Sequence, residues 1–439
     1  MAISPLDSTL WGGLYGDAEL GALFADTAEL AAMVEVERAL ARAQGRCGVI
    51  PAEAALAIDV GLETITLDPA ELTSGTTAAG VPVPALVKAL RAALPTEAGH
   101  WLHWGATSQD IVDSGAVLRL ARALTVLETR LGHLIDRLTE QARAHAGTPM
   151  AGRTRSQIAT PIPFGLRIAN WAAPLIALEA RLPAVRAEAC RVLLGGASGS
   201  NTVLGETAPA VASAFAEELS LAPAPPWGTA RTGMAELGAW AAQLSAALGK
   251  TGADLILLGR SEAGEASAGT GGSSSTMPQK QNPVAAEALV TLGRLAGPLS
   301  GTLNGALAHA EERDAAAWAL EWFALPPLIV GAGAGLRHAT ALADSLSADS
   351  ERMRALLETG GGAALAEAAS FALAEHMPRA DAQALVKQAV KATVAGETLR
   401  QALARLSGRE IDWDACLDAA MASGRDTIEA ILATRRPPG

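Results

Sequence analysis

The feature of this sequence that most constrains the fold is a helical pattern that begins at Ile111 and continues to about Ala146. About 35 residues in one helix span roughly 50 Å at ~1.5 Å per residue. A helix of that length must pack against other helices to bury its apolar seam. The seam repeats at alternating spacings of three and four residues, at Val117, Leu120, Leu124, Leu127, Leu131, Leu134 and Leu138.

Four further segments carry comparable apolar patterns, at 163–193, 230–259, 283–310 and 311–343. We expect Pro326-Pro327 to kink or split the last of them, because proline removes a helical hydrogen bond. The low aromatic content of 3% and the many Ala and Leu residues also favour helix over sheet. Five long helices in one chain predict an all-α bundle, in which some helix faces pack between subunits.

Length and sequence breaks predict three domains. The chain has 439 residues, half of them apolar, which suggests about three domains. Short helical segments separated by Pro and Gly precede the long helices, and the glycine run 360–362 follows them. We therefore predict an N-terminal helical domain over 1–110, a central long-helix bundle over 111–357 and a small helical domain over 358–439.

Charge and cysteine content limit the partners. The net charge is −12 and the 34 Lys and Arg residues are scattered, so nucleic acid is not expected as a partner. Cys47, Cys190 and Cys416 form no C-x-x-C pair, which favours a reducing compartment and argues against a zinc site. The first basic residue is Arg38, and no apolar stretch reaches the length of a membrane span. We predict a cytoplasmic protein that does not partner with a membrane.

The stretch from Thr270 to Pro283 is the strongest candidate for an active-site loop. A Gly/Ser run is usually a linker, and composition alone supports that alternative. Here the run is followed by Lys280 and Asn282, which lie between two prolines and directly before a helix. Such a loop can close over an anion and exclude water. The first turn of the helix offers unpaired N–H groups to a carboxylate.

Two other polar clusters stand beside predicted long helices. The segment 100–110 contains His103, Thr107 and Ser108, although Thr107, Ser108 or Asp110 could simply cap the next helix. The segment 148–161 is predicted to be a loop and carries Arg153 and Arg155, which could equally be ordinary surface arginines. The Gly/Ser turn 195–200 is predicted to be structural, and the junction at 309–314 to be solvated.

These motifs resemble those of the fumarase/aspartase/argininosuccinate lyase superfamily. Ser273 to Asn282 is similar to its G-S-S-x-M-P-x-K-x-N signature, with Ser273 in place of Gly. The resemblance implies that Ser274 is the catalytic serine and that Lys280 binds an anion. The segment His103 to Asp110 is similar to H-x-G-x-T-S-x-D, in which Thr107 and Ser108 would bind a substrate carboxylate. A substrate-binding arginine is expected near Arg313.

The same resemblance implies the fold and the assembly. The superfamily is all-α, with three domains and a central bundle of long helices that assembles into a homotetramer. Its active sites collect loops from several subunits, and its reactions need no metal and no cofactor. We therefore expect a fumarase/aspartase-like fold without a metal or cofactor site.

Several segments narrow the resemblance to the bacterial 3-carboxy-cis,cis-muconate cycloisomerase family. They are 103–110, 150–154, 194–199, 262–265 and 272–283. The resemblance implies an internal 1,4-addition, in which one carboxylate of a 3-substituted muconate attacks the far end of a conjugated double bond. The expected partner is a small anionic dicarboxylate or tricarboxylate from the breakdown of aromatic acids.

The chain also departs from the superfamily pattern. Arg155 stands where the G-R-T-H motif has a histidine, whose usual glutamate partner corresponds to Glu287. Because arginine stays charged, it is a poor proton shuttle. A cyclisation needs no acid for a leaving group, so this change favours it over elimination. Gln279 and Gln281 also differ from the expected residues, and the 3-substituent could be carboxylate or sulfonate.

The sequence therefore predicts a site with two catalytic residues, Ser274 and Lys280. The predicted substrate-binding residues are His103, Thr107, Ser108, Arg153, Arg155, Gln157, Asn282, Glu287 and Arg313. Two alternatives remain at this stage. One is a fumarate-releasing elimination lyase of the adenylosuccinate or argininosuccinate type, and the other is a lyase-fold protein without catalytic activity.

Overall fold

The structure is a computed structural model that describes residues 3–273, 276–277, 280–394 and 396–435. About 69% of the chain is helical, which confirms the prediction of an all-α protein. Five helices of more than 20 residues follow the N-terminal helices, as the apolar periodicity predicted.

The α-helices are numbered in chain order. The N-terminal ones are α1 (Gly12–Tyr15), α2 (Ala18–Ala22), α3 (Asp26–Arg46), α4 (Ala52–Leu62), α5 (Pro69–Ala79), α6 (Val83–Ala92) and α7 (Thr96–Trp101). The middle ones are α8 (Ser108–Ala144), α9 (Phe164–Ala189), α10 (Ala208–Leu219), α11 (Thr232–Leu258), α12 (Val284–Gly305) and α13 (Ala315–Asp344). The last are α14 (Ser350–Leu357), α15 (Ala366–Ala374), α16 (Arg379–Thr393), α17 (Leu399–Ser407) and α18 (Trp413–Leu432).

Within the described ranges the strands form three antiparallel pairs. They are β1 (Pro149–Thr154) with β2 (Gln157–Pro163), β3 (Ala266–Ser267) with β6 (Ser347–Ala348), and β4 (Gly272–Ser273) with β5 (Gln281–Asn282). The first pair corrects the prediction of a loop over 148–161. Its strands approach so closely at Gly152 that a Cβ atom there would lie 2.7 Å from the carbonyl oxygen of Thr160. Glycine permits this approach because it has no side chain.

Helix α8 is the longest element, with 37 residues. It begins at Ser108 and ends at Ala144, close to the predicted bounds of 111 and 146. All seven predicted seam residues, from Val117 to Leu138, are buried. The heptad pattern therefore identified the buried face of this helix correctly.

Helix α13 runs through Pro326 and Pro327 without a split, and a kink at these prolines stays a prediction. The two prolines leave the carbonyls of Trp322 and Phe323 without their helical donors. These residues are 42% and 74% exposed, so water can bind the freed carbonyls. Leu328 and Ile329, directly after the prolines, are buried and anchor the helix by packing.

Helix α13 also contains the one stretch in the described ranges that is long and apolar enough for a membrane span, with 67% of that stretch buried inside the structure.

Contacts divide the chain into two compact units. Unit 1 contains residues 1–130, 181–246 and 292–335, and unit 2 contains 131–180, 247–291 and 336–439. Unit 1 has a core formed largely by α3, α4, α6 and α10, including Met33, Leu40, Ile58, Leu86 and Phe215. Unit 2 has a C-terminal core around Leu365, Leu373, Leu399, Leu403 and Met421. The predicted division at 110 and 357 stays a prediction.

Candidate active site

Asp110 organises the N-terminus of α8. Its Oδ1 accepts a hydrogen bond from the N–H of Gly195 at 2.8 Å, and its Oδ2 accepts from the N–H groups of Gly196 and Thr107 at 3.0 Å each. Burial raises the pKa of this carboxyl to about 6, against the opposing effect of the three N–H groups. The N–H groups of Gly195 and Gly196 thus hold Asp110 in place.

Thr107 and Ser108 precede and begin α8. Both are half-buried, and neither hydroxyl makes a hydrogen bond within the described part of the chain. Asp110 acts on the backbone of Thr107, so the cap does not use either hydroxyl. Both hydroxyls are therefore available to a ligand at the positive end of the helix dipole.

His103 pairs with a buried carboxylate. Its Nδ1 lies 2.6 Å from Oε1 of Glu37, and its backbone has a φ of 64°, in the left-handed region. Burial lowers the pKa of His103, but the charge and hydrogen bond of Glu37 outweigh it and raise the pKa above its ordinary value. A positive φ at a bulky residue costs about 1–3 kcal/mol and is often found at functional sites.

Arg313 is held by Gln109 and by a backbone carbonyl. Its Nε donates to Oε1 of Gln109 at 2.9 Å, and its Nη2 donates to the carbonyl of Ala197 at 3.1 Å. Gln109 lies directly after Ser108 and is only 2% exposed. The structure therefore places Arg313 against the first turn of α8, which begins at the predicted residue Ser108.

Beneath Gln109 lies an ionic cluster that sequence reasoning missed. Arg231 donates to both oxygens of Asp113, at 2.6 and 3.1 Å, and to Oε1 of Glu321 at 2.8 Å. Trp318 Nε1 also donates to Asp113, at 2.9 Å. All three charged residues are at most 4% exposed. No local motif marks them, because Arg231 is 118 residues from Asp113 and 90 from Glu321.

His309 is another residue whose surroundings the sequence did not reveal. Residues 310–313 of the predicted solvated junction are exposed, whereas both ring nitrogens of His309 are buried and have no hydrogen-bond partner among the described residues. Burial lowers the pKa of this histidine, and the charge of Arg231 lowers it further. Both effects favour the neutral form of the imidazole.

A small cavity of about 220 Å³ opens beside these groups and is lined by Gln109, Asp110, Gly196, Ser198, Gly228 and Arg313. A larger cavity of about 890 Å³ lies in unit 2, between β2 and the C-terminal helices. It contains none of the predicted site residues. We assign the candidate site to the smaller cavity, because polar side chains converge there and the volume of a cavity alone does not indicate a function.

In unit 2, Arg153 is bound to a carboxylate. Its Nη1 donates to Oε1 of Glu265 at 3.2 Å, and Nη2 lies 2.7 Å from Oε2 as an ion pair without hydrogen-bond alignment. Glu265 is completely buried. A substrate would have to share this guanidinium with Glu265, so Arg153 as a substrate-binding residue stays a prediction.

Arg155 and Ser156 form the two-residue tip of the β1–β2 hairpin. Their φ angles are 50° and 66°, as a type I′ turn requires, and this turn usually takes Asn-Gly. Both side chains are exposed, as is that of Gln157 at the start of β2. Arg155 is therefore exposed at the tip of a two-stranded hairpin, in a strained backbone conformation.

The signature segment is described in part. Gly272 pairs with Asn282 and Ser273 with Gln281, which brings the two ends of the segment together. Lys280 is exposed and makes no ion pair within the described ranges, and Glu287 is exposed in the first turn of α12. Ser274 and Gln279 lie outside the described residues. Elsewhere in the described chain, His, Cys, Asp and Glu form no group of three that could hold a metal ion.

The long-helix architecture and the three motifs define a lyase of the fumarase/aspartase superfamily. The family described as "Lyase" matches residues 19–296. A 3-carboxy-cis,cis-muconate cycloisomerase from Pseudomonas aeruginosa is 40% identical, over 98% of this chain and 97% of that protein. A nitrosuccinate lyase from Streptomyces davaonensis is 38% identical, over 88% and 84% of the two chains.

A solved structure gives the same result. The 3-carboxy-cis,cis-muconate lactonizing enzyme from Pseudomonas putida superposes with a TM-score of 0.90 at 35% identity, and covers 98% of this chain and 99% of that one. The chain belongs to the lyase family, within its 3-carboxy-cis,cis-muconate cycloisomerase group, and is an enzyme of the intramolecular lyase type.

Proposed function

We propose that this enzyme converts a 3-substituted cis,cis-muconate to its lactone without a cofactor. The observation that carries the proposal is the 40% identity to a 3-carboxy-cis,cis-muconate cycloisomerase over 98% of the chain. The 3-carboxy compound, which would give 4-carboxymuconolactone, is the first substrate to test.

The reaction places extra negative charge on a carboxylate. One carboxylate oxygen of the substrate forms a bond to the far carbon of a conjugated double bond. The electron pair moves onto the remaining carboxylate as an enolate-like species, and the adjacent carbon then takes a proton. Groups that stabilise this species must be in place before the charge develops.

The groups proposed for this role are Thr107, Ser108, Arg313, Lys280 and Asn282. The free hydroxyls at the start of α8 and the fixed guanidinium of Arg313 support a carboxylate site in unit 1. In unit 2, exposed Lys280 has no ionic partner in the described ranges and can bind a second carboxylate. Ser274 is proposed to deliver the proton, since its oxyanion would be stabilised by Lys280.

Arg155 makes elimination the weaker alternative. A lyase that releases fumarate needs a proton donor for its leaving group, and a guanidinium is a poor one. The nucleophile of a cyclisation is an ionised carboxylate that needs no activation. We propose that Arg155, with Gln157 and Glu287, instead recognises the 3-substituent, which is a carboxylate or a sulfonate.

We further propose a homotetramer with sites shared between subunits. Large apolar side chains are exposed on three of the long helices: Leu257 on α11, Val284 and Leu295 on α12, and Trp322 and Phe323 on α13. Helical faces of this kind are typical of subunit contacts. Light scattering tests the proposal, because a stable monomer would contradict a shared site. A cytoplasmic location is consistent with the free cysteines.

The activity is tested by following the loss of the conjugated diene of 3-carboxy-cis,cis-muconate by ultraviolet absorbance. We expect turnover by the wild type and a loss of at least about 100-fold for Ser274→Ala or Lys280→Met, as removal of a charge-stabilising group gives. Lys250→Met is the matched control, because Lys250 pairs with Asp254 and neither is a predicted site residue. No turnover of 3-carboxymuconate or 3-sulfomuconate would overturn the proposal.

The 38% identity to a nitrosuccinate lyase favours one second candidate, the elimination of a leaving group from a succinate adduct. Incubation with nitrosuccinate, adenylosuccinate and argininosuccinate tests it by the appearance of fumarate. Fumarate release faster than lactone formation would make elimination the main activity.

A further inference from the structure

Gln109 connects two parts of the candidate site that are distant in sequence. It follows Ser108 in the first turn of α8, and its Oε1 accepts the hydrogen bond from Nε of Arg313, 204 residues later. Its Nε2 donates to the carbonyl of Gly228 at 2.8 Å and to Oδ2 of Asp113 at 3.3 Å. The amide thus uses its acceptor toward a cation and its donors toward two acceptors.

This pattern fixes the orientation of the amide. A flipped amide would place N–H groups against the N–H of Arg313 and an oxygen against the carbonyl of Gly228 and the carboxylate of Asp113. Three favourable contacts would become three repulsive ones. Because Asp113 is itself held by Arg231 and Trp318, the amide rests on a buried and rigid base.

Arg313 needs such a support because its side chain is exposed. An exposed arginine has many rotamers and loses side-chain entropy when it binds an anion. The bonds from Nε to Gln109 and from Nη2 to the carbonyl of Ala197 hold one edge of the guanidinium before a ligand arrives. The free Nη1 group then has a defined position beside the first turn of α8.

We infer that Gln109 is a positioning residue for substrate binding, acting through Arg313. The inference rests on the proposed function, in which Arg313 binds a substrate carboxylate. It adds that the orientation of the guanidinium matters as well as its charge, and that Gln109 sets this orientation. Gln109→Met preserves the side-chain length and removes all three polar contacts.

The test is a double-mutant cycle on the complete enzyme with 3-carboxymuconate. A lost hydrogen bond to a charged group corresponds to roughly a 10- to 100-fold change. We expect Gln109→Met to raise KM by about 10-fold, with a smaller change in kcat. In an Arg313→Met background, the same substitution should change KM by less than about 2-fold. Equal effects in both backgrounds would overturn the inference.

The Gln109→Glu variant distinguishes a positioning role from a purely structural one, because its substrate binding and its stability should change in different directions relative to Gln109→Met. Glu keeps the acceptor toward Arg313 but places a second carboxylate next to Asp113. We therefore expect Gln109→Glu to be less stable than Gln109→Met and yet to have the lower KM. If KM follows stability instead, Gln109 acts only on the fold.

Replacement of Arg313 keeps the inference testable even if the Gln109 variants do not fold. Lys keeps the charge and loses the Nε contact, so Arg313→Lys should raise KM nearly as much as Arg313→Met. A wild-type KM for Arg313→Lys would overturn the role of orientation. A wild-type KM for Arg313→Met would instead overturn the proposed carboxylate site. Gln243→Met is the matched control, because Gln243 also accepts from an arginine, Arg181 at 2.7 Å, and neither is a predicted site residue. Its KM should not change.

Discussion

Nδ1 of His103 lies 2.6 Å from Oε1 of Glu37, a carboxylate that is only 1% exposed. This contact raises the pKa of His103 in the folded protein above its unfolded value, although burial acts in the opposite direction. A group with a raised folded pKa binds protons more tightly in the folded state. The pair therefore stabilises the fold fully at pH values below the unfolded pKa of His103. This contribution is lost as the pH rises through the folded pKa.

Glu37→Gln should remove most of this pH-dependent contribution. We expect a loss of about 1–3 kcal/mol in the free energy of unfolding at about pH 5.5, and a smaller loss at about pH 9. Urea denaturation at both pH values measures it. Glu63→Gln is the control, since Glu63 is exposed and lies 3.9 Å from Arg38. A loss for Glu37→Gln that is equal at the two pH values would contradict the assignment.

Substitutions at Arg155 and Ser156, the tip of the hairpin, should separate effects on stability from effects on activity. Serine in the left-handed region costs about 1–2 kcal/mol, and Ser156→Gly removes this cost. Glycine has greater conformational freedom in the unfolded chain, which offsets part of the gain in stability. We expect a net stabilisation of about 0.5–1 kcal/mol and unchanged turnover. Arg155→Gly should stabilise the protein similarly and lower turnover. Thermal unfolding and the ultraviolet assay distinguish the two, and equal activity of both variants would exclude a role for Arg155.

Removal of Arg231 should be among the most damaging single substitutions. Arg231→Met leaves Asp113 and Glu321 buried without their cation, and we expect a loss of about 3–5 kcal/mol. Adding Asp113→Asn and Glu321→Gln should recover part of this loss, because the two charges are then neutral. Urea denaturation of the single and triple variants tests the prediction. A triple variant that is less stable than Arg231→Met would show that the charges are not the cause.

Asp110→Asn should loosen the turn at the start of α8. The carboxylate accepts three N–H groups with two oxygens, whereas Asn has one acceptor and turns an NH2 group toward a donor. We expect a loss of about 1–3 kcal/mol. Asp314→Asn is the control, because Asp314 also accepts from three N–H groups but is only half-buried. A smaller effect at Asp110 than at Asp314 would contradict the importance of burial.

The sequence predicted the long helices well because their periodicity is a local property. The seam of α8 from Val117 to Leu138 repeats regularly, and each of its residues is buried. At Pro326 and Pro327 the sequence predicted a kink or a split, and the structure excludes the split. There the helix continues because exposed carbonyls and buried neighbours offset the lost hydrogen bonds, and these conditions depend on the tertiary structure.

The site was only partly predictable for a similar reason. The motifs indicated Thr107, Ser108 and Arg313, and the structure adds the contact of Arg313 with Gln109, the residue after Ser108. The Asp113–Arg231–Glu321 cluster joins residues that are far apart in sequence, so no local pattern could reveal it. The β1–β2 hairpin was missed because its turn is Arg-Ser, without the Asn-Gly that usually marks a type I′ turn.

Arg155 lies on a two-residue turn whose side chains face solvent. The strands on either side of the turn pair through their backbones, so their pairing does not depend on which side chain stands at position 155. A side chain in such a position can be exchanged with little effect on the core. Libraries confined to residues 155 and 156 could therefore be screened for new 3-substituents while the scaffold stays constant. Substitutions at these two positions would then change the substrate selectivity of the enzyme without changing its fold.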